Sequence, residues 1–219
     1  MKTLQIDIVS DVVCPWCAIG YGNLQQALSK LSQSVDAKIE WHPFQLNPYM
    51  GKEGQEINEH ISEKYGLSDQ QMQDNKQNIQ NMGKLAGFEM SFDKRGRIYN
   101  TLDCHVLLHF AQEQGKQTEL KLALFKAYFT DGKNVSDRAV LIEAAESVGL
   151  DKTEAQAALN NEQYKKDVQE EELKFKSMGI SSVPAFIINN KYLISGGQPV
   201  ENFVQSLTDI AEKEGSEAQ

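Results

Sequence analysis

The chain has 219 residues, 40% hydrophobic and 24% charged, which accommodates one large domain or two intimate ones around a sizeable core. With 22 basic against 31 acidic residues and a formal charge of -9, it lacks the basic stripe of a general nucleic-acid binder. No apolar run approaches the ~18 residues of a membrane span.

The first residues do not read as a signal peptide, because Asp7 and Asp11 interrupt the apolar stretch and no small-residue cleavage site follows. The expected address is the cytoplasm, with no nucleic-acid or membrane partner. Three cysteines, an odd number, argue against a disulfide-stapled secreted fold.

Leu4 to Ser10 alternates Leu4, Ile6 and Ile8 with Gln5 and Asp7, the pattern of a strand. Cys14-Pro15-Trp16-Cys17 follows almost at once, and Ile19 to Leu31 carries apolar residues at helical spacing. Lys38 to His42 predicts a second strand, and Pro43, Asn47, Pro48 and Gly51 punctuate a loop. From about Glu56 to Tyr164 the signals are helical: Ile57–Tyr65, Asp69–Leu85, Tyr99–Gln114, Thr118–Tyr128, Arg138–Val148 and Thr153–Leu159. Ser68, Ser136 and Asp151 are candidate N-caps, and Gly66, Gly87, Gly115 and Gly149 sit where helices end.

A helix from Glu162 to Met178 precedes renewed strand signals at Pro184–Ile188 and Tyr192–Ile194, joined by an Asn189-Asn190 hairpin turn. An amphipathic helix from Val200 to Ala211 leads into a charged tail, Glu212–Gln219, expected to fray. The order is β-α-β, a helical block, then α-β-β-α. It predicts an α/β domain split between residues 1–50 and 162–219, with an inserted all-helical domain over 51–161.

A Cys-x-x-Cys pair after a strand and opening a helix points to redox exchange. Orphan N–H groups and the helix dipole favour negative charge at the first cysteine. Cys14 is therefore the expected nucleophile, exposed and acidic; Cys17, one turn on, is the expected resolving thiol. Pro15 suits the first helical turn. The competing readings are two inert buried thiols, or a zinc site; zinc needs two more ligands, which Cys104 and His105 on one helix do not supply together. No metal is expected.

These residues resemble the thioredoxin superfamily, and more narrowly the DsbA-like oxidoreductases with a helical insertion, the FrnE-like branch. The resemblance rests on Ser10–Gly20 around the cysteines, Pro43–Pro48, Asn100–His105, Gly179–Pro184 and Ser195–Pro199, and so spans nearly the whole chain. It implies a thioredoxin-like fold with a large helical insertion and thiol–disulfide exchange on protein or small-molecule disulfides. It also implies a cis Val183–Pro184 peptide facing the cysteines, where substrate backbone pairs by strand addition; from the residues alone, a trans proline opening a strand stands equally. Pro15, Trp16, Val183 and Pro184 become candidate substrate-binding residues, and Asn100 and His105 candidate lining of the cleft between block and sheet. A homodimer is compatible with the family.

The fold family also includes kappa-class glutathione transferases and 2-hydroxychromene-2-carboxylate isomerases. Glutathione-dependent isomerisation or transfer is thus the second reading, with glutathione as co-substrate and no resident cofactor expected. A redox-independent chaperone or binding module is the third. Three departures matter. The buried acid that thioredoxin-like enzymes often carry six residues before the first cysteine is Ile8 here, and with Asp11 read as solvent-facing, the proton acceptor for Cys17 is unassigned. Gln198-Pro199 stands where glutathione-using relatives usually have an acid. Cys14 stands where the isomerases generally have serine.

Among the remaining residues, Cys104 reads as a small buried hydrophobe, or else as a third thiol near the site. His105 reads as a partner of the Cys14 thiolate or as a core-edge histidine. Trp41 and Phe186–Ile188 are expected core.

Overall fold

A computed structural model describes residues 2–216. Its frame is a four-stranded sheet ordered β2-β1-β5-β6, from β1 (Lys2–Ser10), β2 (Val35–Pro43), β5 (Ala185–Ile188) and β6 (Tyr192–Ser195). β1 and β2 run parallel, joined through α1 (Pro15–Lys30), with Lys2 opposite Val35 and Ser10 opposite Pro43. β5 pairs antiparallel with β1 (Val9 opposite Ala185), and β6 antiparallel with β5. β1 is therefore central, and Leu4, Ile6, Ile8 and Val9 are all buried. Asn189 and Asn190, at φ 52° and 55°, make the hairpin turn their side chains tolerate.

Between β2 and β5 run α2 (Ile57–Tyr65), α3 (Asp69–Leu85), α4 (Leu102–Glu113), α5 (Gln117–Phe125), α6 (Arg138–Ser147), α7 (Lys152–Leu159) and α8 (Glu162–Ser177); α9 (Val200–Ser216) closes the described chain. The block shares one continuous core with the sheet, from Ile6, Ile8 and Phe186 to Leu107, Leu124 and Phe129. α9 packs on α1. α8 bridges the two parts, meeting both α4 and β2, and its Phe175 packs with Val9 and Ile187.

Several boundaries differ from expectation. α1 begins at Pro15, in the first turn as expected, with Cys14 as the extended N-cap residue (φ -90°, ψ 112°), although the apolar spacing starts only at Ile19. Two-residue strands β3 (Gln55–Glu56) and β4 (Arg97–Ile98) pair within the block, so α4 starts at Leu102, whose N–H is taken by Asn100 Oδ1 at 3.0 Å. The N-cap of α6 is Asp137, not Ser136, whose hydroxyl donates to Lys52 O instead. α5 ends in a π-helical turn, Lys126–Thr130. α9 continues through 212–216, and the rest of the expected frayed tail, 217–219, lies outside the described residues.

Close approach sets α1 against its neighbours. A Cβ on Gly22 would stand 2.1 Å from Ala86 O, so only glycine lets α1 touch the chain leaving α3.

Candidate active site

Cys14 and Cys17 are free thiols at the start of α1, and both are buried: Cys17 is 0% exposed and Cys14 only 4%. The expectation of an exposed Cys14 is therefore corrected. The reason is tertiary, because the loop after β2 and the helices α2 and α3 stand over it. Cys14 still lines a cavity of about 850 Å³ together with Trp16, Phe44, Leu46, Met72 and Val183. Its Sγ–H points to Val183 O at 3.7 Å. The Val183–Pro184 peptide is cis. Val183 and half-buried Pro15 and Trp16 face this cavity; Pro184 lies buried behind them.

The two thiols ionise as a linked pair. The Cys14 thiol, beside Cys17 and buried, is pushed well above the ordinary thiol range. Burial raises Cys17 too, but the Cys14 thiol and the Lys121 charge outweigh it and leave Cys17 lowered. The pair thus has one easy and one hard ionisation. Cys14, at the N-cap of α1, is the sulfur of the pair that opens on the cavity. The helix start acts on both thiols, whereas Lys121 acts on Cys17 and the Asp11 charge opposes ionisation of Cys14.

Asp11 is not solvent-facing as expected but 0% exposed. Its Oδ2 accepts from Leu46 N–H at 2.8 Å, and its Oδ1 lies 3.5 Å from His105 Nε2. Burial raises its carboxyl, but His105, Leu46 and Lys121 together hold it below the ordinary value. Lys121, from α5, is also 0% exposed. Its Nζ has no hydrogen-bond partner among the described residues and lies 5.2 Å from the Trp41 ring centre and 5.3 Å from that of Phe125. A buried acid and a buried amine therefore stand behind the cysteines, where Ile8 supplies no charge. Neither was assigned this place from the sequence. Lys121 does leave a trace: it falls on the same helical face as Gln117, Leu120, Leu124 and Phe125, all buried.

His105 and Asn100 do not line the cavity among the described residues. His105 donates from Nε2 to Phe44 O at 3.1 Å, next to Asp11, and is the core-edge histidine rather than a partner of Cys14. Asn100 donates to Pro48 O at 3.2 Å, and so anchors the loop that forms the cavity wall. Cys104 is fully buried, donates to Val135 O at 3.1 Å, and has its thiol pushed far up by burial.

Asp7, Glu40 and His42 bring potential ligand atoms within 4.8 Å of one another. Both ring nitrogens of His42 already meet carboxylates, Asp7 at 3.0 Å and Glu171 at 2.6 Å, so the cluster is an ion-pair network beneath β2.

A family model described as a DSBA-like thioredoxin domain matches residues 5–208. The chain belongs to the DsbA-like thioredoxin family. A relative, the uncharacterized protein YwbO of Bacillus subtilis, is 30% identical over 213 residues, covering 96% of this chain and 99% of that one. The probable DsbA oxidoreductase of Streptomyces coelicolor superposes with a TM-score of 0.87 at 32% identity, covering 96% of this chain and 91% of that one. The cytosolic disulfide reductase DsbM of Pseudomonas aeruginosa, solved with GSH, shares the fold at a TM-score of 0.64 and 15% identity, over 95% and 99% of the chains. A 2-hydroxychromene-2-carboxylate isomerase shares it at 0.68 and 14%, over 97% and 98%. These DsbA-like neighbours fit the FrnE-like branch that the motifs resemble. Among the described residues, no helix of this DsbA-like chain is long and apolar enough to cross a membrane.

Proposed function

We propose that this DsbA-like chain is a thiol–disulfide oxidoreductase of the cytoplasm, acting through Cys14 and Cys17 on protein or small-molecule disulfides. The observation that carries this reading is the pair of free thiols at the start of α1, with Cys14 opening on a cavity and Cys17 sealed behind it.

Cys14 attacks one sulfur of the substrate disulfide as its proton passes to Cys17. A Cys14–substrate bond forms, the substrate S–S bond breaks, and the leaving thiolate takes the proton from Cys17. The Cys17 thiolate, favoured by Lys121, then attacks Cys14 Sγ, closing the Cys14–Cys17 disulfide and releasing the second substrate thiolate. The substrate gains two electrons and the pair loses two; the reverse sequence oxidises a dithiol. In this reading substrate backbone N–H donates to the Val183 carbonyl, which lies 3.7 Å from Cys14 Sγ.

The test is a pair of variants. Cys14→Ser abolishes turnover of a disulfide substrate and Cys104→Ser leaves it, because Cys104 is sealed in the helical core. Equal effects from both would remove the assignment. The size of the cavity favours one second reading, glutathione-dependent isomerisation or transfer, with glutathione as co-substrate. Glutathione binding in calorimetry without net disulfide chemistry would select it.

A further inference from the structure

Arg95, in the turn before β4, is 7% exposed. Its guanidinium lies on three rings, 4.5 Å from the centre of Phe92, 5.1 Å from Tyr128 and 5.2 Å from Phe129. Nε and Nη1 are buried and meet no hydrogen-bond acceptor among the described residues. No carboxylate pairs with it among the described residues. A guanidinium keeps its charge, so burying one without an anion is costly. Arg95 and Cys14 line the same cavity.

The cavity wall repeats this bias. Its described residues include Lys64, Lys76, Arg95 and Lys176, but no Asp or Glu, in a chain with 31 acidic residues. Lys64 bonds the neutral oxygens Leu46 O and Asn47 Oδ1, and Lys76 bonds Asn58 Oδ1; only Lys176 has a carboxylate, Glu172 at 2.8 Å. The cleft is a cationic mouth on an acidic protein, and its volume suits a small molecule.

Resting on the disulfide-exchange reading above, we propose that the cavity beside Cys14 selects a small disulfide or thiol bearing a carboxylate, and that Arg95 receives that carboxylate. The bound anion supplies the counter-charge that the fold leaves out, and in doing so it places the ligand sulfur against Cys14.

The test uses the reduced full chain and three small disulfides: dithiodipropionate, with a carboxylate on each arm, neutral hydroxyethyl disulfide, and cystamine, with an amine on each arm. Each second-order rate is divided by that of the same disulfide with free dithiothreitol, which removes intrinsic reactivity. The corrected rate for dithiodipropionate exceeds that for hydroxyethyl disulfide by about tenfold, the factor one charge-assisted hydrogen bond supplies, and cystamine is slowest. In Arg95→Met the anion-to-neutral ratio falls close to one; Arg95→Lys keeps part of it. An unchanged ratio in folded Arg95→Met overturns the proposal, as does a wild-type chain with no preference for the anion. If Arg95→Met does not fold, the wild-type series still decides. Exchange without charge preference removes this inference alone, whereas no reaction with any disulfide removes the exchange reading and this inference with it.

Discussion

Lys121 and Cys17 are sealed in the same interior, both 0% exposed, and the ammonium meets no hydrogen-bond acceptor there among the described residues. Burial pushes the Lys121 amine down, while the charges of Cys17 and Asp11 hold it up. It is a positioning charge for the resolving thiol, outside the reach of substrate.

Lys121→Met removes that charge. The lower ionisation of the cysteine pair then moves up, and the pH–rate profile moves towards alkali. Exchange at neutral pH slows about tenfold for every pH unit that the profile moves. Titration of the ultraviolet thiolate band follows the ionisation directly. The melting temperature does not fall, because the variant no longer buries an ammonium without an acceptor. A lower melting temperature with an unmoved titration would mark Lys121 as packing only.

His42 makes stability depend on alkaline pH. Burial lowers its imidazole, but Asp7 and Glu171 outweigh this and raise it from 6.5 to about 9. A raised value stabilises the fold fully below the ordinary 6.5, and that stabilisation is lost as pH climbs through about 9. The difference corresponds to roughly 3 kcal/mol. Urea midpoints measured across this window decline in the wild type, and His42→Gln flattens the decline.

Glu172 holds the cavity wall. Its Oε1 accepts from Gln45 N–H at 2.7 Å and its Oε2 from Gln45 Nε2 at 3.0 Å, tying the loop after β2 to α8. Glu172→Ala strands a buried backbone N–H, at a cost of about 1–3 kcal/mol. Its carboxyl is raised by burial but lowered further by Lys176 and Gln45. This contribution is present above the ordinary glutamate value of 4.5 and disappears as pH falls through the lowered one. Chemical denaturation of wild type and variant, at neutral pH and in acid, checks both statements.

Gly22→Ala places a methyl 2.1 Å from a carbonyl oxygen that only backbone movement can clear. The expected loss is about 1–3 kcal/mol or more. Gly87→Ala is the contrast: its Cβ meets open space, and only the φ of 86° is strained. Melting curves of the two variants separate steric clash from backbone strain.

Local patterns carried most of the architecture. The alternation in β1, the apolar spacing of the helices and the Asn189-Asn190 turn are readable because each depends on neighbours a few residues apart. Apolar spacing starts α1 four residues late, because Cys14 caps it through backbone conformation, without a side-chain hydrogen bond. The charges of the site are harder to read. Asp11 looks solvent-facing beside Ser10, and Arg95 lies in a stretch with no periodicity. Burial of such residues depends on which distant element covers them.

From the chain alone came the fold class, the Cys14–Cys17 pair and the strand-to-helix junction that presents it. The folded molecule decided that Cys14 sits beneath a roof, and that Lys121, Asp11 and Arg95 stand around the pair. Secondary structure and a Cys-x-x-Cys spacing are set over one or two turns of backbone. An electrostatic environment is set by groups, such as Arg95 and Lys121, that lie far from the cysteines in sequence and that only long-range packing brings to them, in an interior that screens them weakly.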